Sequence, residues 1–207
     1  MGVPHRTELP LADRQPPVER ADAARNRLRI LRAASAIVAE KGPGALTMNA
    51  VAQASGIGVG TVYRRFGDVA QLLNALLDER EKQFQAAFLG GPPPLGPGAP
   101  PAERLHAFLH ALADRVIDQR EMLVAGETAS PCGRYTSGPY TTMHTHVAML
   151  VAELRPQADA ALLAHLLLAP FAPSLLDHLS RGQGRTARQI TDAVDELLAT
   201  GGGLLQG

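Results

Sequence analysis

The residues best suited to specific chemistry lie in one segment, TMNAVAQASGIGVGTVYRRF, which spans residues 47–66. Its second half offers hydroxyl and guanidinium donors from Thr61, Tyr63, Arg64 and Arg65. Such side chains donate hydrogen bonds to phosphate oxygens, and arginine also pairs bidentately with the major-groove edge of guanine. The segment therefore predicts contact with a nucleic-acid backbone, together with some recognition of bases.

Two short helices are expected to position these donors. Thr47 is a suitable N-cap for a helix over MNAVAQAS, and Gly56 supplies the tight turn that follows it. A second short helix is predicted over VGTVYRRF, with Ile57 and Val62 as buried anchors and Gly60 allowing close approach of the backbone to DNA. Two helices joined in this way form a helix-turn-helix, whose second helix can enter the major groove.

Positive charge is concentrated around this motif, although the whole chain has a formal net charge of zero. Residues 20–66 contain eight Lys and Arg against two Asp and Glu, whereas residues 67–207 contain ten against fifteen. A short basic block on an acidic body favours a module that binds a polyanion.

The remaining sequence predicts an all-α protein of about nine helices, in which a three-helix head precedes a larger helical body. Residues 90–101 hold ten Gly or Pro in twelve positions, which predicts a loop. The predicted domains are a flexible arm over 1–21, a DNA-binding domain over 22–67 and a ligand-binding and dimerisation domain over 68–207. Helices of the body are predicted at about 102–118, 119–128, 138–154, 157–181 and 186–200.

Composition excludes several classes of protein. Cys132 is the single cysteine, so neither an internal disulfide framework nor a cysteine-only zinc site is possible. No apolar run approaches the roughly 18 residues of a membrane span, and the N-terminus lacks an apolar signal region. We therefore expect a cytoplasmic protein without a membrane partner.

Residues 25–77 resemble the tetracycline-repressor (TetR) family of bacterial transcription regulators. The resemblance rests on RILRAASAIVAEKG, on Thr47, on the turn from Ala52 to Ile57, on GVGTVYRRF and on the paired Leu72 and Leu73. Two positions depart from the family. Gly58 replaces a common capping serine, and Val69 replaces a frequent basic residue near the DNA backbone. The resemblance implies a double-stranded DNA operator as partner and these DNA-binding residues: Thr47, Val59, Gly60, Thr61, Tyr63, Arg64 and Arg65.

Within that set the residues are expected to play different parts. Arg64 is the best candidate for contacting a base, whereas Thr47, Tyr63 and Arg65 are expected on phosphates. Val59 is suited to a thymine methyl group.

The body of TetR-like proteins usually holds a small-molecule pocket and a dimer interface. Apolar residues at helical spacing are the candidates for lining the pocket, although the same pattern is typical of plain core: Phe84, Phe88, Phe108, Leu112, Met122, Met143, Val147 and Phe171. Pro170 and Pro173 interrupt a helical run and are predicted to kink it.

A homodimer is expected because one helix-turn-helix offers too little contact for strong specific binding. Apolar positions recur at three- and four-residue steps in the last two long helices, and the family resemblance implies that two such pairs form a four-helix bundle. The candidate interface residues are Ala161, Leu162, His165, Leu166, Ala169, Ile190, Val194, Leu197 and Leu198.

No enzymatic motif, metal site or cofactor is predicted. His106 and His110 have a spacing that can hold a metal, but the run HAFLH lacks a glutamate directly after the first histidine. Cys132, beside Arg134 in a predicted loop, is a weak candidate for a redox-sensing thiol. Two alternatives to a ligand-responsive regulator stay open: a helical ligand-binding protein or enzyme whose head no longer binds DNA, and a constitutive DNA-binding protein with a filled core.

Overall fold

A computed structural model describes residues 17–129 and 133–200, with side chains over 21–124, 133–186 and 188–196. The described residues form helices and no strand beyond an isolated bridge between Pro97 and Ala99, so the predicted all-α class is confirmed. Cys132 and most of the predicted arm lie outside the described residues. The chain divides into two compact units, Met1–Leu76 and Leu77–Gly207.

The first unit contains the predicted three-helix head. Its elements are α1 (Pro17–Lys41), a 3-10 turn (Pro43–Ala45), α2 (Met48–Ser55), α3 (Val59–Phe66) and the start of α4 (Val69–Gly90). α1 begins before the predicted residue 22, with a proline in its first position, where the missing N–H costs nothing. The boundary between the units lies within α4, after Leu76, rather than at residue 68.

Apolar side chains fix the packing of this unit. The first helix buries Ile30, Leu31, Ala34 and Val38, whereas Ile37 is half-buried. The other helices bury Leu46, Met48, Val51, Ala52, Val62, Phe66, Leu72 and Leu76. The alternation of three and four residues between buried positions is that of helices packed on one face.

The second unit contains the remainder of α4 and the helices that follow the Gly- and Pro-rich loop. They are α5 (Pro101–Ala129), α6 (Gly133–Thr136), α7 (Gly138–Leu154), α8 (Ala160–Leu168), α9 (Pro173–Asp177) and α10 (Ala187–Thr200). α5 is one continuous helix where two were predicted. The run predicted as a single helix over 157–181 is instead interrupted by a 3-10 turn at Ala169–Phe171, where Pro170 cannot donate a backbone hydrogen bond.

The stretch Ala160–Gly182 is apolar enough, with a mean hydropathy of 1.5 over its best 18-residue window, to cross a membrane by length and composition alone. The expectation that no segment approaches this limit was therefore wrong. Ala164, Leu168, Phe171 and Leu176 from this stretch are buried in the core of the second unit. A core helix that also presents an apolar outer face accounts for the same hydropathy.

Candidate nucleic-acid interface and ligand cavity

The turn between α2 and α3 is built by local contacts. The Thr47 hydroxyl accepts a hydrogen bond of 3.1 Å from the Ala50 N–H, which caps α2. Gly56 ends the helix in the left-handed conformation, with φ of 65°, which favours glycine. Arg29 of α1 donates a 2.7 Å hydrogen bond from Nη2 to the carbonyl of Ser55 and so holds the C-terminus of α2.

α3 separates an inner face from an outer one. Val62 and Phe66 are buried, whereas Val59 and Tyr63 are 40% and 51% exposed. Thr61 is half-buried, as is the predicted anchor Ile57. The predicted DNA-binding residues on the outer face are Val59, Gly60, Tyr63, Arg64 and Arg65. A short helix with an apolar inner face and polar donors outside is suited to entering a groove.

The two adjacent arginines of α3 have different surroundings. The Arg65 guanidinium donates to the carbonyl of Ala23 in α1 and so ties these helices together. The exposed side chain of Arg64 has no hydrogen bond or ion pair to the residues that the structure describes. Arg64 can therefore extend toward a ligand, whereas Arg65 would first have to leave Ala23. Sequence patterns gave no signal for this difference.

The start of α3 lacks a side-chain cap, as the substitution of serine by glycine predicts. Gly58 occupies the N-cap and no side chain accepts from the first turn. The Gly58 carbonyl accepts a hydrogen bond of 2.8 Å from the Thr61 N–H, so backbone hydrogen bonds alone define the start of the helix.

The second unit contains a cavity of about 400 Å³ that is partly open to solvent. That volume lies within the range of about 300–1,000 Å³ seen for small-molecule sites. Three of the eight predicted pocket residues, Leu112, Met143 and Phe171, line it. Lining residues that were not predicted include Leu77, Asp78, Glu81, Arg115, Val116, Leu123, Arg134, Ser137 and Tyr140.

The other five predicted pocket residues do not line this cavity. Phe84, Phe88 and Phe108 pack against one another, with the Phe88 ring centre 5.2 Å from Phe84 and 5.1 Å from Phe108 in edge-to-face arrangements. Val147 is fully buried in the same core, and Met122 is half-buried beside the lining residue Leu123. The aromatic residues thus stabilise the core, because the positive edge of one ring attracts the negative face of the next.

One wall of the cavity carries an ion pair with little exposure to solvent. The Arg115 guanidinium contacts the Glu81 carboxylate, and their side chains are 12% and 11% exposed. Burial lowers the pKa of Arg115, and the Glu81 charge opposes that shift. The buried Nε of Arg115 has no hydrogen-bond partner among the described residues. A buried polar atom of this kind is unusual in a folded protein.

Tyr140 is a further lining residue of the cavity that carries a polar group, its hydroxyl. This hydroxyl lies 2.8 Å from Nδ1 of His165, and the Arg134 guanidinium lies 5.5 Å from the centre of the Tyr140 ring. Burial raises the pKa of Tyr140, and the Arg134 charge opposes this. The phenol is therefore neutral near pH 7 and acts as a hydrogen-bonding group.

The residues predicted for the dimer interface fall into two groups. Ala161, Leu162, His165, Leu166 and Ala169 are exposed, with Leu162 at 55% and Leu166 at 60%. Ile190 and Val194 are instead buried in the core of the second unit, which does not support their predicted place in a dimer interface. The side chains of Leu197 and Leu198 lie outside those that the structure describes.

The histidine pair of α5 meets a carboxylate from α10. Asp195 Oδ1 lies 2.9 Å from Nε2 of His106 and 2.8 Å from Nε2 of His110. Burial acts to raise the pKa of Asp195, but the hydrogen bond from His110 and the charges of both histidines lower it overall. The sequence gave no signal that Asp195 joins this pair.

Comparisons with known proteins agree with this architecture. Residues 30–76 match the family described as bacterial regulatory proteins, tetR family. An HTH-type transcriptional repressor of Mycobacterium tuberculosis is 28% identical over 209 residues, covering 93% of this chain and 98% of the relative.

Two solved structures share the fold. One is a protein from Saccharomonospora viridis in complex with choline, with a TM-score of 0.64, 18% identity, and coverage of 85% of this chain and 96% of the other. The second is the fatty acid degradation regulator FadR from Bacillus halodurans, with a TM-score of 0.60, 14% identity, and coverage of 94% and 98%.

Proposed function

We propose that this chain, whose residues 30–76 match the tetR family of bacterial regulatory proteins, is a homodimeric repressor that a small-molecule effector releases from a palindromic operator. The family is regulatory rather than enzymatic. The proposed protein acts in the cytoplasm on double-stranded DNA. Its activity would require three features: a face that binds DNA, a surface that pairs two copies, and a cavity that admits the effector.

The outer face of α3 is the observation that carries the proposal. Gly60 presents backbone without a side chain, and Val59, Tyr63 and Arg64 surround it as exposed groups. This combination allows the backbone to approach DNA closely while donors contact phosphates and a base. Thr47, exposed at the start of α2, supplies a further hydroxyl for a phosphate.

Gly60→Ala separates DNA contact from folding. A Cβ at residue 60 meets no atom within 4 Å, and alanine is favoured over glycine inside a helix by about 1 kcal/mol, so the variant is expected to be more stable. If the face lies against DNA, the methyl group obstructs the approach and weakens binding. Gly44→Ala, which also meets open space in the same unit, is the matched control.

The measurement uses sites selected from a random DNA library and from the region upstream of the gene. Fluorescence anisotropy with a salt titration reports affinity, and denaturant unfolding reports stability. A steep salt dependence in the wild type and weaker binding by Gly60→Ala alone support the proposal. Unchanged binding by Gly60→Ala contradicts this face. Failure to select any sequence favours the alternative of a helical protein whose head no longer binds DNA.

The outward leucines of α8 support pairing of two copies. Leu162 and Leu166 are four residues apart and both are more than half exposed, next to exposed Ala161 and Ala169. Contiguous exposed apolar surface of this kind marks an interaction site. Twofold pairing would place two heads on successive major grooves, about 34–36 Å apart.

A double substitution tests this surface. Leu162→Glu with Leu166→Glu places charges on the exposed face and leaves the core unchanged, so a folded monomer without specific DNA binding is expected in sedimentation velocity and anisotropy. Leu89→Glu, at a leucine that is 55% exposed on α4, is the control and is expected to stay dimeric. A double variant that sediments as a dimer and binds its operator contradicts the interface.

The cavity suits an effector that is mostly apolar with at least one hydrogen-bond acceptor. Leu112, Val116, Met143 and Phe171 provide apolar walls, and the lining residues Arg134, Ser137 and Tyr140 carry hydrogen-bonding groups. Asp78 and Glu81 line the cavity from α4, whose earlier residues belong to the first unit. We infer that an effector displaces α4 and so changes the spacing of the two heads.

A substitution that fills the cavity tests whether the protein is an inducible regulator or a constitutive one. Compounds that raise the melting temperature of the wild type are first tested for their ability to release it from DNA. Leu77→Trp then adds side-chain volume at a half-buried position on the cavity wall. The variant is expected to bind DNA but to respond to none of these compounds. Equal response in wild type and variant contradicts this cavity as the effector site.

A further inference from the structure

We propose that His106, His110 and Asp195 form a binding site for one divalent transition-metal ion, with Zn²⁺ as the best match. The site lies in the second unit and joins α5 to α10. It does not depend on the DNA-binding function, because none of its residues lies in α3 or lines the 400 Å³ cavity.

The geometry already gathers three ligand atoms. His106 and His110 are one helical turn apart, and their ring centres are 4.2 Å apart in a stacked arrangement. Asp195 Oδ1 faces both Nε2 atoms at 2.9 and 2.8 Å, and the three ligand atoms lie within 4.8 Å of one another. Tetrahedral zinc, at about 2.0–2.1 Å from each atom, requires ligand atoms roughly 3.3 Å apart. The two contacts that Asp195 Oδ1 makes are therefore about half an ångström shorter than the separation that the ion requires.

The donor set selects the class of metal. Two imidazole nitrogens and one carboxylate oxygen suit Zn²⁺, Ni²⁺, Co²⁺ and Cu²⁺, whereas Mg²⁺ and Ca²⁺ prefer sites made of oxygen alone. Three protein ligands leave a fourth position for water. The carboxylate oxygen lies within hydrogen-bond distance of both rings, so the three groups face one another.

Solvent access allows the ion to enter. The side chains of His106, His110 and Asp195 are 49%, 30% and 35% exposed. A surface hollow of about 370 Å³ adjoins the site, and Glu103 and His106 both line it. Glu103 stands one helical turn before His106 and adds a carboxylate to the lining of this hollow.

The ion would act as a cross-link between distant parts of the chain. His110 and Asp195 are separated by 85 residues, so their joint coordination exists only in the folded state. A ligand that binds the folded state alone raises stability in proportion to the logarithm of its concentration over Kd. At a hundredfold excess over Kd, a rise of roughly 5 °C or more in melting temperature is expected.

The test uses the full-length untagged chain carrying Cys132→Ser, which removes the only thiol in the sequence. Equilibrium dialysis against Zn²⁺ followed by metal analysis gives the stoichiometry, and titration with Co²⁺ gives a visible spectrum that reports tetrahedral coordination. We expect one Zn²⁺ per chain and a higher melting temperature with Zn²⁺ but not with Mg²⁺.

Variants at two of the three ligands decide the assignment. Asp195→Asn and His106→Gln are each expected to weaken Zn²⁺ binding at least tenfold and to abolish the cobalt spectrum. His178→Gln, at an exposed histidine outside the cluster, is the matched control and is expected to bind as the parent does. His106 is half-exposed, so His106→Gln keeps the test valid if Asp195→Asn fails to fold. Absence of stoichiometric binding, or binding retained in both ligand variants, would overturn the proposal.

Discussion

A histidine enclosed by aromatic rings makes the stability of this protein sensitive to acid. His146 of α7 is 3% exposed, and its ring centre lies 4.6 Å from that of Phe88 and 5.1 Å from that of Phe108. Both ring nitrogens are buried without a hydrogen-bond partner among the described residues. Burial, and secondly the positive charge of Arg104, lower its pKa from 6.5 to about 4.

The sign of the effect follows from which state of the chain, folded or unfolded, binds the proton at the higher pH. As the pH falls below 6.5, His146 is protonated in the unfolded chain but stays neutral in the folded one, so acid favours unfolding until the pH falls through about 4. The difference between these pKa values predicts a loss of about 2 kcal/mol in the free energy of unfolding at pH 5. The full loss, below pH 4, is about 3 kcal/mol.

His146→Leu removes the titrating ring while keeping a buried apolar side chain. Urea unfolding of wild type and variant at pH 7.5, 6.0 and 5.0 gives the difference in unfolding free energy at each pH. We expect that difference to shift by about 2 kcal/mol in favour of the variant between pH 7.5 and 5.0. His144→Leu controls for a histidine on the same helix that is only half-buried. A difference that stays constant across this range would falsify the reasoning.

Two further predictions concern the head and the cavity. Arg64→Ala is expected to relax preference at one base pair of each half-site, costing about 1–3 kcal/mol there, and a selection profile unchanged from wild type would refute its contact with a base. Arg115→Met is expected to lower the free energy of unfolding by about 3–5 kcal/mol, because it leaves the buried Glu81 carboxylate unpaired. Adding Glu81→Met should restore most of that loss in urea unfolding, whereas equal losses in the single and double variants would show that the pair does not interact.

Short-range contacts explain why the head could be predicted closely. The cap at Thr47, the left-handed Gly56 and the inner positions Val62 and Phe66 all depend on residues within a few positions of one another. Helix caps and glycine turns are determined by local backbone geometry, which residue types specify directly. The contact of Arg65 with Ala23, 42 residues away, was not predicted, because no local pattern encodes it.

The body was predicted as helical, but its faces were not assigned correctly. Apolar spacing marked both Leu166 and Val194 as surface that needs a partner, yet Val194 is buried within the second unit and Leu166 is exposed. Three of the four phenylalanines expected around a ligand, Phe84, Phe88 and Phe108, pack instead on one another. Periodicity shows that a helix has an apolar face, but it does not identify which neighbour covers that face.

The sequence by itself determined the all-α class, the helix-turn-helix and the basic character of the head, since each depends on composition or on neighbours along the chain. Tertiary structure alone decided that Asp195 meets His106 and His110, and that Glu81 meets Arg115 beside a cavity. Residues 34 and 85 positions apart came together in these pairs. Charged and metal-binding groups interact through space over a few ångströms, so their partners become defined only when packing has fixed the positions of the helices.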